Sequence, residues 1–318
     1  MNAVTALEWF TQVLEVITAL AAAPLLFGWV NQCRAWLQNR SAPSLLQPYR
    51  SIRKLFHKDA VLATNASPLF RIAPYVIFGT MAAAAAVIPS VGTHLPFTPV
   101  ADGIALVGLL ATARVFQALA AMDVGTAFGT LGARREMMIG FLAEPALLMV
   151  IFVASLLSAS TALPAIAEQL ASQAVGIYPS LAFTAVAFTM VLLAENARIP
   201  VDNPATHLEL TMIHEAMLLE YSARHLALLE WAATLKLFNY TCIGFALFAP
   251  WGTAHSETPQ ALLAALPIFG LKLLVAGGGI ALVETLSAKL RVFRAPEFLA
   301  TAFLFAVLGL LVRLLLGA

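Results

Sequence analysis

Between Ala194 and Ser222 the chain places Glu195, Asp202, Glu209, Glu215 and Glu220 beside His207 and His214, directly after a strongly apolar stretch. Carboxylates and imidazoles at that density can bind, store or relay protons. They can also ligate metal, but the familiar two-histidine zinc motif needs a second histidine four residues after the first. His214-Glu215 is followed at that spacing by Leu218, so a zinc-protease helix is excluded. A further set of ionisable residues lies inside apolar stretches: Arg114, Glu144, Glu230, Lys236, Lys272 and Glu284. A charge at the centre of a membrane helix costs about 2.5–3.5 kcal/mol on insertion scales, so such residues face a polar interior or serve a function. Glu144 is the most pointed case. It is followed by Pro145, which has no N–H to donate to the Phe141 carbonyl, and this leaves an acceptor open beside the carboxyl group. A static ion pair with Arg114 or Lys236 is the alternative reading of Glu144. Glu230 and Glu284, near the ends of their stretches, can equally well snorkel to water.

These residues need a membrane scaffold to hold them. The chain has 318 residues, 61% hydrophobic and 11% charged, too few charges to coat a soluble domain of this length. It reads as an all-α integral membrane protein, a single transmembrane domain over residues 1–318. At about 20 apolar residues per span, eight transmembrane helices are predicted near 4–30, 70–89, 103–121, 137–158, 178–197, 229–250, 261–285 and 297–316. The acidic residues Glu8 and Glu15 argue against a signal peptide at the start, where a basic flank is expected.

Basic residues mark one membrane face. Arg34, Arg40, Arg50, Arg53, Lys54, Lys58, Arg71, Arg134, Arg135, Arg198, Arg224, Lys289, Arg291 and Arg294 all fall in the connections after spans one, three, five and seven. By the positive-inside rule these loops are cytoplasmic and both termini lie outside the inner membrane. In the first of them, Leu45, Leu46, Tyr49, Ile52 and Phe56 share a helical face opposite Arg50, Lys54 and Lys58, which predicts an amphipathic interfacial helix over 45–56; a plain polybasic lipid anchor is the competing reading. The loop after span five is also predicted helical, with Asn203 as cap and Pro204 in the first turn. Gly277-Gly278-Gly279 lacks the Lys-Ser/Thr ending of a phosphate loop and sits in an apolar helix, where close helix packing or a local break is expected. Cys33 and Cys242 are too few and too far apart for an iron–sulfur or zinc site. No catalytic, cofactor-binding or metal-ligating set is predicted in this chain, and a net charge of +1 gives no reason to expect nucleic acid.

Several segments resemble one family. AENARIPVDNP (194–204) is similar to the AETNR-x-P-x-D-x-P segment after the fifth helix of respiratory complex I subunit 1, and Glu220-Tyr221-Ser222 to its Glu-Tyr-Ser-Gly. RSAPSLLQPYRSIRKLF (40–56) matches its first loop, and Gly132–Glu136 followed by Glu144 its fourth helix. Pro43 is followed almost at once by Leu45-Leu46-Gln47-Pro48, a compact form that resembles the loop in the membrane subunit of energy-converting [NiFe] hydrogenases of the formate hydrogenlyase subunit 4 and hydrogenase-4 type. The resemblance implies a non-catalytic coupling subunit that anchors a peripheral redox arm and links it to proton or sodium translocation. It implies hydrogenase-like large and small (iron–sulfur) subunits on the cytoplasmic side, with the iron–sulfur clusters and any [NiFe] centre held there, and antiporter-like membrane subunits alongside. On that reading the coupling path comprises Glu144, Glu195, Asp202, Glu209, Glu215, Glu220, Arg114, Lys236 and Lys272. Arg34, Arg40, Arg53, Arg134, Arg135, Arg198 and Arg224 dock the arm. A quinone-site subunit of a complex I-like dehydrogenase and a stand-alone secondary transporter are the alternatives.

Overall fold

The computed structural model describes residues 3–93, 95–97, 102–172, 178–202, 212–254, 258–290 and 294–316. Of the described residues 78% are helical, and none of them forms a strand. Its helices are α1 (Ala3–Leu37), α2 (Gln47–Phe56), α3 (Pro68–Val87), α4 (Gly103–Asp123), α5 (Ala127–Ser158), α6 (Leu163–Ser172), α7 (Pro179–Glu195), α8 (His214–Leu218), α9 (Ala223–Phe248), α10 (Pro259–Leu286) and α11 (Ala295–Leu316). Each of the eight expected spans is a helix. Six of them, α1, α3, α4, α5, α10 and α11, are long and apolar enough to cross a membrane. Of the other two, α7 is an apolar helix of 17 residues, and α9 has 26 but carries Arg224, Glu230 and Lys236.

The boundaries differ from the hydropathy reading where charge interrupts a helix. α5 begins at Ala127 rather than near 137, taking Arg134, Arg135 and Glu136 into the helix, and α1 runs on to Leu37. Hydropathy ends a span at its first charges, whereas backbone hydrogen bonding does not. The short helix α6 was not expected; it buries Leu163, Ile166 and Leu170 against α5 and α9. Of the loop helix predicted after span five, Asn203, Pro204, His207 and Glu209 lie outside the described residues, and its end is the one-turn α8.

α9 is the centre of the bundle. It packs on α1, α2, α3, α6 and α7, while α5 packs on α4, α7 and α11. The interfacial helix α2 begins at Gln47, buries Ile52 and keeps Arg50, Arg53 and Lys54 exposed. It lies close on α1 because Gly28 has no side chain where the Leu45 carbonyl passes.

Two prolines bend their helices and leave carbonyls open, and aromatic donors answer both. Pro24 cannot bond Leu20, whose oxygen accepts from Trp231 Nε1 at 3.2 Å. Pro74 cannot bond Phe70, whose oxygen accepts from the Tyr221 hydroxyl at 3.0 Å, with the two rings stacked 4.0 Å apart. Tyr49 of α2 also donates to Ala21, beside the α1 bend.

A buried ion-pair row and its cavity

The row is built around Arg114 of α4, whose side chain is only 3% exposed. Its guanidinium crosses α5 at Gly140, which has no Cβ to block it. Glu136 and Glu144 stand one turn to either side of that glycine, since residues four apart share a helix face. Arg114 Nε lies 3.7 Å from Glu136 Oε1 and Nη1 lies 2.5 Å from Glu144 Oε1. Nη2 pairs with Glu195, the last residue of α7. The other Glu195 oxygen is 3.0 Å from Lys236 Nζ of α9. One row of charges therefore ties four helices together. Two bases face three carboxylates, so the row balances only when it holds a proton. Removing one member of such a buried set typically costs about 3–5 kcal/mol, because its partner is left uncompensated.

A cavity of about 150 Å³ opens next to this row. Apolar Phe27, Ile52 and Leu237 line it together with Glu195, Asp202, His214, Glu215, Glu230 and Lys236. Lys236 and His214 also line a second void of about 20 Å³ that reaches Gln117 and Arg114. His214, Ala233 and Lys236 line both spaces and thus form the partition between them. His214 Nδ1 is 3.2 Å from Gln117 Nε2, and its backbone N–H donates to Asp202 at 3.4 Å. Burial, reinforced by the Lys236 ammonium, pushes the His214 imidazole below its ordinary range, and Glu215 and Asp202 only partly oppose this. A neutral imidazole can accept a proton at one nitrogen and release one at the other.

At the rim, Arg198 Nη1 donates to Glu284 Oε1 at 3.0 Å, and Arg34 approaches the other Glu284 oxygen at 3.5 Å. The Arg198 guanidinium lies 4.7 Å over the Phe27 ring. Burial pushes this guanidinium down from its usual range, and the Glu284 charge works against that. Glu284 is completely enclosed and bonded, so it does not snorkel to water.

The structure brings Arg114, Glu144, Glu195 and Lys236 together and sets Asp202 and Glu215 in the cavity wall. The ion pair weighed as the alternative for Glu144 is present. Lys272 stands apart: its ammonium donates to the Ala249 carbonyl at 2.7 Å and lies 5.8 Å from the centre of the Phe245 ring. Glu220 is exposed on the turn before α9, and Glu209 is outside the described residues. Among the basic residues, Arg40, Arg53, Arg134 and Arg224 are exposed. Arg135 instead donates to the Met212 carbonyl at 3.0 Å, and Arg198 is buried, so both brace the loop between α7 and α9. Glu136 figures in the sequence only as part of the matched Gly132–Glu136 segment, with no role in the path, and Gly140 not at all, although a carboxylate–glycine–carboxylate repeat every four residues could have drawn attention to them. Gln117 and the partition role of His214 carry no sequence signal. Cys33 and Cys242 are buried free thiols, and among the described residues no three His, Cys, Asp or Glu side chains are grouped to hold a metal.

Residues 11–315 match the family model described as NADH dehydrogenase. The chain is 35% identical to formate hydrogenlyase subunit 4 of Escherichia coli (strain K12) over 300 residues, 93% of this chain and 95% of that protein. It is 34% identical to hydrogenase-4 component C of the same organism over 262 residues, 82% of each chain. Among solved structures, its fold matches a chain of the membrane-bound sulfane sulfur reductase, an archaeal respiratory membrane complex. That match has a TM-score of 0.79 at 19% identity and covers 95% of this chain and 98% of that one.

Proposed function

Since the chain belongs to the NADH dehydrogenase family of complex I subunit 1-like membrane proteins, we propose that it is the coupling subunit of a group 4 hydrogenase-like assembly. It anchors a peripheral redox arm and links electron transfer to ion translocation. The arm consists of hydrogenase-like large and iron–sulfur small subunits on the cytoplasmic side of the inner membrane, and antiporter-like subunits flank the chain in the bilayer. The exposed residues Arg40, Arg53, Arg134 and Arg224 receive the arm.

One observation carries this reading: the charged row is continuous from the loop cavity to the outer face of the bundle. Asp202, His214 and Glu215 line the cavity together with Lys236, Lys236 pairs with Glu195, and Glu195 pairs with Arg114. Glu144 ends the row with 35% of its side chain exposed. A carboxylate on an otherwise apolar α5 face, beside Phe141 and Leu148, is costly against lipid and is suited to meeting a neighbouring membrane subunit.

A charge change in the cavity alters which carboxylate Arg114 favours. The choice among Glu195, Glu136 and Glu144 then moves a proton, or its electrostatic equivalent, towards the neighbour. Moving one charge across the membrane field costs about 2.3 kcal/mol per 100 mV, a scale that a rearranged buried ion pair can supply. The cavity's apolar walls give a quinone-site subunit a specific footing as the second reading.

The test is purification of the tagged subunit in mild detergent, followed by ion transport with the Glu144→Gln variant in membrane vesicles. The expected result is a co-purifying hydrogenase-like arm and a variant that assembles normally but no longer transports ions. Undiminished transport in that variant overturns the role of the row. A bound quinone in the wild-type assembly supports the second reading instead.

A further inference from the structure

A second buried carboxylate lies away from this row, near the end of the bundle opposite the charged loops. Glu15 of α1 is completely buried, and no base forms an ion pair with it among the described residues. Its Oε1 accepts three consecutive backbone N–H groups, from Ser90 at 3.2 Å and from Val91 and Gly92 at 2.9 Å each. Successive amides of this kind form a nest suited to negative charge. The nest belongs to the connection after α3, whose residues 87–93 are all buried. That segment is fastened to the α9–α10 connection: the Ala254 N–H donates to the Val91 carbonyl at 2.8 Å, and the Thr93 N–H donates to the Ala254 carbonyl at 3.2 Å.

The other carboxylate oxygen, Oε2, is buried without a hydrogen-bond partner among the described residues. One turn earlier on the same face, Gln12 is also buried. Its amide nitrogen donates to the Ala86 carbonyl at 2.7 Å, while its Oε1 has no partner. Gln12 thus bonds the last turn of α3 and Glu15 the connection that follows it, and each leaves one oxygen unanswered. The buried Thr93 turns its hydroxyl to the Ala254 carbonyl at 3.4 Å, and the buried Thr11 sets its methyl group beside Gly92. Lys272 on α10 is engaged by Ala249.

We propose that Glu15 and Gln12 form a binding site for a small monovalent cation, sodium. All the groups on offer are hard oxygens, as alkali cations require, and the single carboxylate matches a single positive charge. A divalent cation would leave one positive charge uncompensated in this buried setting. Close packing favours a small ion, since a Cβ added at Gly92 would lie 3.2 Å from Thr11 Cγ2. A cation here neutralises Glu15 and pins α1 to the connections after α3 and α9. The site is separate from the Arg114 row, and its test requires no transport activity.

The test uses the intact assembly in detergent with dicyclohexylcarbodiimide, which modifies protonated buried carboxyl groups, and reads the adduct on Glu15 by mass spectrometry. NaCl is titrated against choline chloride at constant ionic strength. Sodium should lower Glu15 labelling roughly tenfold at about ten times its dissociation constant, the mass-action expectation, and should raise the unfolding midpoint in parallel. Gln12→Leu should lose both effects. Labelling that follows pH but ignores sodium makes Glu15 a proton site and overturns the proposal. Glu15→Gln removes the labelling target and can disturb the nest, so the wild-type unfolding midpoint is the deciding measurement where labelling is weak. A midpoint that is the same in sodium and choline leaves Glu15 as a structural tether and also overturns it.

Discussion

Gly140→Ala is the most discriminating perturbation of the row. A Cβ at position 140 would meet the Arg114 guanidinium, standing 2.8 Å from its Cδ and 3.0 Å from its Cζ. Carbon atoms in good contact sit about 3.5–4.0 Å apart, so the arginine must retreat by roughly 0.5–1 Å. An exposed arginine would swing aside at little cost. This one is 3% exposed and held by three carboxylates, with Glu144 at 2.5 Å and Glu136 at 3.7 Å, so any retreat lengthens at least one ion pair. Overpacking of this kind costs about 1–3 kcal/mol. Gly279→Ala is the matched control, because a Cβ there meets nothing within 4 Å. The assays are the thermal unfolding midpoint of the purified assembly and its ion transport in vesicles. Gly140→Ala should lower both, while Gly279→Ala should leave transport intact and the midpoint unchanged or slightly raised. If the two variants behave alike, Arg114 is not seated on Gly140 as a fixed element of the row, and the reasoning fails.

Other expectations follow from the same geometry. His214 titrates below its ordinary value of 6.5 in the folded protein, so the unfolded chain binds more protons in the window below that value. Stability should therefore be complete above about pH 6.5 and decline as pH falls towards the folded value; unfolding midpoints measured from pH 8 to 5 should show this slope, and His214→Gln should flatten it. Tyr221→Phe keeps the stack on Phe70 but leaves the carbonyl opened by Pro74 unanswered, which should cost about 1–3 kcal/mol in a denaturation experiment. Charge reversal of Arg40, Arg53 and Arg134 together should weaken recovery of the peripheral arm on the order of tenfold, most strongly at low salt. Full recovery of the arm would place its docking surface elsewhere.

The helices were legible because their signal is additive. Twenty apolar residues read as a span whatever surrounds them, and Pro179 and Pro259 mark where α7 and α10 begin. The half of the site that is inherently expensive was legible too: Arg114, Glu144, Glu195 and Lys236 stand out because charge in an apolar segment demands a reason. What remained hidden depends on which helix faces which. Nothing in the order of residues says that Arg114 lies across Gly140, or that Lys272, equally buried in apolar sequence, turns to Ala249 instead of joining the row. Arg198 and Arg135 read as docking charges because sequence counts charge without direction, whereas their guanidinium groups turn inward to Glu284 and Met212. Glu15, weighed only as an acidic flank, gains its meaning from a connection some 75 residues away.

The two aromatic donors at the proline bends have a mechanical consequence. Tyr221 sits just ahead of α9 and Trp231 lies within it, so one rod grips the kink of α3 and the kink of α1 at once. Lys236 is mounted on the same rod, a little over one turn beyond Trp231. Any lurch of α9 that relieves or loads its ammonium must drag both hinges with it. An event that begins as electrostatics at Glu195 thereby becomes leverage on α1, whose Phe27 forms part of the cavity wall.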